Sequence, residues 1–471
     1  MDIVSHKHQD LATFFIGSII STYSNARARS KEGVTGPTNY LAMTQRVDNA
    51  TNNLALSVIR KIIEDVDMSF RNNPERLKKY HVKSFHKRTL MTIFGPLTFS
   101  RTFYADKHTK QSYSYTDDFF GFEKYGRFDM DVKSLLIEAC SDMSMAAAGR
   151  KVSGMIGQRT GSGAKDTNIS RQTVRTIVRR SMLPPLRCGR KGSTPETLFV
   201  MMDEKFVPLQ REPQKRAMVH HAVIFEGMEP AQGHTKRNML INRHAVASTS
   251  QDSLNDKVSD YICEAYDAGR IREIYVMGDG AGWIKASAKE YAAEGCLARF
   301  ALDKYHFMNA LRLIFLDKGK EKEALDALLA NDRGAFESMC GRVLLERPDR
   351  SETIADKARY IRNNWAAARL SYRKNLRCCM EGQISHNIAS LLASRPGAYS
   401  LKTLKSLLKI RMAFRNGADV KKLYLDSFSY SSRRACEGNY DFSVFDVFDR
   451  KETYTLGEAS KISFLNDWYS Q

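Results

Sequence analysis

The hydrophobic period of this chain changes at residue 197, and that change restricts its fold more than any other feature. Before it, most stretches carry apolar residues at helical spacing, with one hairpin among them. In 51–70 (TNNLALSVIRKIIEDVDMSF) positions 54, 58, 62, 66 and 70 make a one-sided stripe, the pattern of a packing helix ended by Asn72-Asn73-Pro74. From 197 to 302 the runs are short. Segments 197–202 (TLFVMM), 216–225 (RAMVHHAVIF) and 239–247 (MLINRHAVA) read as strands. A helix at 253–268, a buried strand at 271–277 (IREIYVM), a helix at about 283–293 and a strand at 297–302 (LARFAL) follow.

Three consecutive strands with short connections favour an antiparallel meander, and helix-linked strands favour parallel additions. The order resembles the α/β ribonuclease H-like fold, in which the first and fourth strands are neighbours. Asp203 follows the first strand and Asp279 the fourth, so this fold would bring the two acids together. Paired carboxylates at strand ends suit Mg²⁺, a hard cation that takes oxygen ligands and keeps several waters. Two such ions about 3.5–4 Å apart activate an attacking oxygen and stabilise a leaving one in phosphoryl displacement. Mn²⁺ is the expected substitute. A lone acid at a strand end is usually a turn or cap residue, so the weight lies on the pair. Glu204 is adjacent to Asp203, and a one-residue shift along the strand exchanges which acid faces the metals.

After Asp303 the chain reads as helical over 306–377, with a break at Arg347-Pro348. Glu381 then heads a helix at 384–393 (ISHNIASLLA). It could reach back to the two Asp, or simply sit in the favourable field of a helix N-terminus.

Upstream, 88–104 (RTLMTIFGPLTFSRTFY) alternates around Gly95-Pro96 as a hairpin. Tyr113, Tyr115, Phe119, Phe120, Phe122 and Tyr125 read as a small core, with base stacking as the alternative. Helices at 131–140 and 145–152, and a third opened by Ser170 as N-cap and running to Arg180, fit a helix-turn-helix. The segment between the last two, 157–168, is Gly-rich. Between 150 and 191 there are eleven Lys or Arg and one acid, Asp166. Such concentration on a helix-turn-helix pattern points to phosphate rather than to an ordinary solvated face.

The whole chain of 471 residues is basic, with a formal net charge of +20, a surplus suited to a polyanionic partner. No stretch approaches the roughly 18 apolar residues of a membrane span, and none reads as a signal peptide. Eight scattered Cys without a C-x-x-C pair argue against a zinc ribbon and a disulfide framework. A cytoplasmic protein with reduced thiols is the expectation.

Several blocks together are more specific than any one motif. RTLMTIFGPLTFSRTFY, DDFFGFEKYGRF, MGDGAGWIK, LDKYHF and EGQISHNIASLLASRPGAYS, spread over about 80–415, resemble bacterial insertion-sequence transposases of the ISLre group, also catalogued as an uncharacterised protein family. The resemblance implies a DDE-type, Mutator-like enzyme that cuts and joins DNA at the ends of its element. It implies Asp203, Asp279 and Glu381 as catalytic and metal-binding acids, 76 and 102 residues apart, with two Mg²⁺. It makes 306–377 an insertion before the Glu-bearing helix, and Asp303 and His306 a supporting Asp-x-x-His element, with Asp303 the rival third ligand. Ser170, Arg171, Gln172, Thr173 and Arg175 would meet the major groove, and Arg179, Arg180 and the basic stretch 402–415 the phosphates. The partners implied are double-stranded DNA, both terminal repeats and target, and further copies of the chain in a homo-oligomer, at the bacterial nucleoid and without a membrane.

The expected organisation is a helical region 1–75, a hairpin and aromatic region 76–130, a basic helix-turn-helix with linker 131–191, core 192–305, all-helical insertion 306–377, core end 378–417 and a tail 418–471. Two other classes stay open: a domesticated or inactive copy that only binds DNA, and a stand-alone nuclease with the same metal site.

Overall fold

The periodicities above become three layers of local structure, seen in a computed structural model that describes residues 2–31, 36–160, 168–231, 233, 238–393 and 397–435. Helices α1 (Asp2–Lys31), α2 (Pro37–Asn72) and α3 (Pro74–Lys79) lead into a hairpin of β1 (Tyr80–Thr92) and β2 (Gly95–Asp106), edged by β3 (Ser112–Tyr113) and followed by α4 (Tyr115–Phe119). Leu56, Ile59 and Ile63 of α2 pack on Leu90, Leu97 and Phe99 of the hairpin. The buried stripe is therefore not the four-residue series read from sequence, and Val58 and Ile62 are exposed. Steps of four residues advance about 40° past a full turn each time, so that series wanders off the buried face. The aromatics pack with one another: Phe70 stacks on Tyr115 at 4.0 Å and Tyr80 on Tyr113 at 5.1 Å. Tyr125 alone of the six named above is largely exposed.

Helices α5 (Met130–Cys140), α6 (Met145–Thr160) and α7 (Arg171–Arg180) pack as a three-helix unit. Helix α6 runs eight residues beyond the expected end, and 161–167, with Lys165 and Asp166, lie outside the described residues. Gly149 lets α7 approach, since a Cβ there would stand 2.3 Å from Ile169 O.

The central sheet comprises β4 (Thr197–Pro208), β5 (Arg216–Phe225), β8 (His244–Ser248), β9 (Glu273–Gly278) and β10 (Leu297–Leu302), with β6 (Gly227–Pro230) and β7 (Asn238–Ile241) as a separate hairpin between β5 and β8. The order is β10-β9-β4-β5-β8; β4, β5 and β8 are antiparallel neighbours, and β9 and β10 add parallel to β4. The single strand expected at 239–247 is two. Asn242 has φ 50, a left-handed kink that ends β7 on β6 and redirects the chain into the sheet. Helix α8 (Gln251–Ala265) precedes β9, and α9 (Gly282–Glu290) links β9 to β10.

The insertion is all-helical: α10 (Lys304–Phe315), α11 (Lys318–Ala330), α12 (Arg333–Glu346), α13 (Ser351–Asn363) and α14 (Trp365–Arg373) share a core of their own around Phe307, Leu311, Phe336, Ile354, Ile361 and Trp365. Then come α15 (Met380–Ile384), a π-helix (Ser385–Ala393), α16 (Leu401–Arg415) and α17 (Val420–Ala435). By their contacts the described residues up to Tyr424 form one compact unit, and those from Leu425 on belong to a second. The tail from residue 436 on lies outside the described residues. Among the described residues no helix is long and apolar enough to cross a membrane, and the seven described Cys are free.

The basic stretch 402–415 divides by burial. Lys402, Lys405 and Lys409 are exposed, but Arg411 is only 1% exposed. Its guanidinium donates to Ser141 O (2.7 Å), Asp142 Oδ1 (2.7 Å), His386 O (2.6 Å) and Asn387 O (3.1 Å). Arg411 is thus an internal strut, which corrects its reading as a phosphate contact.

Candidate active site beside β4 at the ends of β9 and β10

Register sets the acids level. Strands β4 and β9 run parallel and pair as far as Met201 and Met277; Asp203 and Asp279 each lie two positions further on. Leu302 pairs with Gly278, and Asp303 N donates to Gly278 O (2.9 Å), so Asp303 follows beside Asp279.

Alternation along β4 assigns the faces. Leu198, Val200 and Met202 enter the core with Leu254 and Val258 of α8 and Ile284 of α9. Glu204 continues that face, and its Oε2 accepts from Trp283 Nε1 (2.7 Å). The Trp283 ring meets His220 edge-on at 4.6 Å. Met201 lies on the other face, with its Sδ 3.2 Å from Cys379 N, and Asp203 continues that one. Burial, with the charges of Asp279 and Glu204, pushes the Asp203 carboxyl up to about 6 against the bond it accepts from Glu204 N (2.8 Å) and the nearby His306.

Asp279 Oδ1 accepts from Ala281 N (2.9 Å), which shapes the turn into α9. From the insertion, Tyr360 Oη donates to Asp279 O (2.6 Å). Gly280, at φ +95, sits against Asn364: a Cβ would stand 3.0 Å from Asn364 Oδ1. Asp303 caps α10 through Tyr305 N (3.1 Å), and its second oxygen is 3.0 Å from His306 Nδ1. That bond raises the His306 pKa, helped by the charges of Asp303, Asp279 and Asp203 and opposed by burial.

Glu381 stands exposed in the first turn of α15, the helix packed on β4. The structure therefore joins Asp203, Asp279, Asp303 and His306 electrostatically, while Glu381, exposed on α15, is not among the charges acting on them. Among the described residues no three His, Cys, Asp or Glu side chains converge into a closed metal cage. The donor chemistry is nonetheless of the kind a hard divalent cation takes: two level carboxylates, one of them raised by burial and by its neighbour's charge.

Three residues here escaped the sequence reading. Tyr360 and Trp283 act through bonds between distant segments and carry no local signal. Cys378 precedes Glu381 by three residues; burial, then the fields of Asp303 and Asp203, push its thiol well above its ordinary range.

In the three-helix unit, Ser170 caps α7 as expected, accepting from Thr173 N (3.2 Å). Val174 and Val178 face inward, Arg171, Gln172, Arg179 and Arg180 are exposed, and Thr173 and Arg175 are half-buried.

Residues 37–427 match the Uncharacterised protein family (UPF0236). A UPF0236 protein of Caldanaerobacter subterraneus subsp. tengcongensis is 26% identical over 443 residues, covering 91% of this chain and 89% of its own length. Another from the same organism is 27% identical over 445 residues with the same coverage. The name of the first joins eleven locus tags and that of the second four.

Proposed function

The chain belongs to the UPF0236 family, and from that membership and the site geometry we propose that it is the DDE-type transposase of an insertion sequence. The observation that carries the reading is the level placement of Asp203, two positions past the point where β4 stops pairing with β9, and Asp279, just past the end of β9, with burial and the charge of Asp279 raising Asp203. The strand order, three antiparallel strands continued by two parallel ones, supports a ribonuclease H-like core. Locus tags repeated up to eleven times for one relative are in keeping with a gene that copies itself.

On this reading Asp203 and Asp279 hold Mg²⁺, with Glu381 completing the set from α15. The metal supplies charge neutralisation at the scissile phosphate and a more acidic bound water. The chain's own residues do the rest. Asp303 orients His306 by accepting from its Nδ1, leaving Nε2 as the ring atom that can take up or release a proton. The Trp283 bond keeps Glu204 out of the site. Arg171, Gln172, Thr173 and Arg175 read terminal-repeat DNA, Ser170 fixes the start of their helix, and Arg179, Arg180, Lys402, Lys405 and Lys409 hold phosphates. Synapsis of two ends requires a homo-oligomer, and the working place is the bacterial nucleoid.

The test is strand cleavage of a labelled duplex bearing the element's own end, with Mg²⁺ or Mn²⁺, comparing wild type with Asp279→Asn. Metal-dependent nicking lost in the variant while binding persists is the expected result. Salt-sensitive binding by both proteins with no cleavage under either metal would instead identify a DNA-binding relic. Cleavage without joining of ends would identify a nuclease.

A further inference from the structure

A buried polar network links the strand of the first acid to the helix of Glu381. His221 of β5 is the cross-strand partner of Asp203 and is fully buried. Its Nδ1 donates to Val246 O (2.7 Å), so its Nε2 is the unprotonated nitrogen. That nitrogen accepts from Asn387 Nδ2 (2.9 Å), a residue of the π-helix that is 1% exposed. Asn387 Oδ1 in turn accepts from Arg243 Nη2 (3.2 Å). Arg243 Nε donates to Gln383 Oε1 (2.9 Å), two residues after Glu381, and its Nη1 to Arg415 O (3.0 Å). Every oxygen on this guanidinium is neutral. Burial and the nearby Arg415 charge lower its pKa, so the cation is held at a cost that its fixed bonds offset.

We infer that His221, Asn387, Arg243 and Gln383 are positioning residues that set where α15 presents Glu381 relative to Asp203. The inference rests on Glu381 being the third metal carboxylate. The geometry is one-sided: β5 fixes His221, His221 fixes the Asn387 amide orientation, and Asn387 with Arg243 fixes Gln383. Asn387 Nδ2 also donates to Gln383 Oε1 (3.4 Å), so the amide ties β5 directly to α15 as well as through Arg243, and the helix has one seating. A π-helix directly after α15 is the local departure from regular winding expected where such a seat is built. Outer bonds of this kind orient metal ligands, and their loss typically costs 10–100-fold in metal affinity or activity.

The experiment measures Mn²⁺ binding to the full chain by the electron paramagnetic resonance of free Mn²⁺, with end-nicking in parallel. The proteins are wild type, Asp203→Asn, Glu381→Gln, Asn387→Ala, Gln383→Met, Arg243→Lys and Arg243→Gln. Asn387→Ala and Gln383→Met are expected to weaken Mn²⁺ binding about tenfold and to lower nicking at saturating DNA, with duplex affinity unchanged. Arg243→Lys, which keeps a donor, is expected to recover part of the wild-type affinity relative to Arg243→Gln. Gln383→Met changes a half-buried side chain and serves if Asn387→Ala fails to fold. If Glu381→Gln weakens Mn²⁺ binding and neither Asn387→Ala nor Gln383→Met does, the positioning role is overturned. If Glu381→Gln binds Mn²⁺ as wild type does while Asp203→Asn does not, it is the assignment of Glu381 that falls.

Discussion

Trp283 donates its indole N–H to Glu204 at 2.7 Å, on the face of β4 opposite Asp203. Two adjacent acids are thereby given different work: one is tied to α9, the other is left beside Asp279. Glu204→Gln keeps an acceptor for Trp283 and is expected to nick within about twofold of wild type. Asp203→Asn is expected to lose more than about 100-fold. Equal losses in the end-nicking assay would contradict the assignment.

Asp203 also predicts a pH dependence. Its folded pKa, about 6, lies above the ordinary carboxyl value. A raised pKa contributes stability that is fully present below about pH 4 and is lost as pH rises through about 6. Asp203→Asn escapes that loss. In metal-free buffer the variant should be more stable than wild type at pH 8 by about 2–3 kcal/mol, with the difference vanishing near pH 4. Thermal melts at the two pH values check this, and a difference independent of pH would refute it. Mg²⁺ should stabilise wild type more than the variant.

The insertion props the turn of Asp279 through Tyr360 Oη, which donates to Asp279 O. Tyr360→Phe should cost about 1 kcal/mol of stability and lower nicking without changing duplex affinity. Gly280→Ala meets both a left-handed φ of 95 and Asn364, and should cost about 1–2 kcal/mol. Calorimetry and end-nicking on the same preparations test both.

Duplex binding should fail by two separable routes. Replacing Arg171 or Arg179 with Ala should weaken it and reduce the log–log salt slope by about 0.9 per phosphate contact removed, with the melting temperature unmoved. Gly149→Ala drives a Cβ into Ile169 O and should lose about 1–3 kcal/mol of stability, with binding falling because α7 is displaced. Fluorescence anisotropy across salt concentrations separates the two.

The sheet was legible because most of its strands are short apolar runs bounded by turn residues, but the strand expected to stop at 202 runs on beside β5 to Pro208, which leaves Asp203 inside it. Strand 297–302 matches residue for residue. What escaped depends on partners remote in sequence. Nothing local marks Asn242 as a left-handed break, Arg411 as buried, or Tyr360 as a prop for a turn 81 residues earlier. The stripe on α2 failed for a different reason: a period of four fits a short window and drifts over five turns, and the hairpin chose Ile59 and Ile63 instead. Charge pattern located the basic α7 correctly but could not tell the exposed lysines of α16 from the arginine beneath them.

Arg411 binds the carbonyl of Ser141 between α5 and α6 and the carbonyls of His386 and Asn387 in the π-helix with one guanidinium. The part of the chain that would grip DNA and the part that carries Glu381 therefore share a single internal fastener. Neither is a cassette. Truncation ahead of α16 would strip acceptors bare in both at once, and a chimera that exchanges the three-helix unit between relatives must bring along a matched residue 411, or inherit two loosened halves instead of one altered specificity.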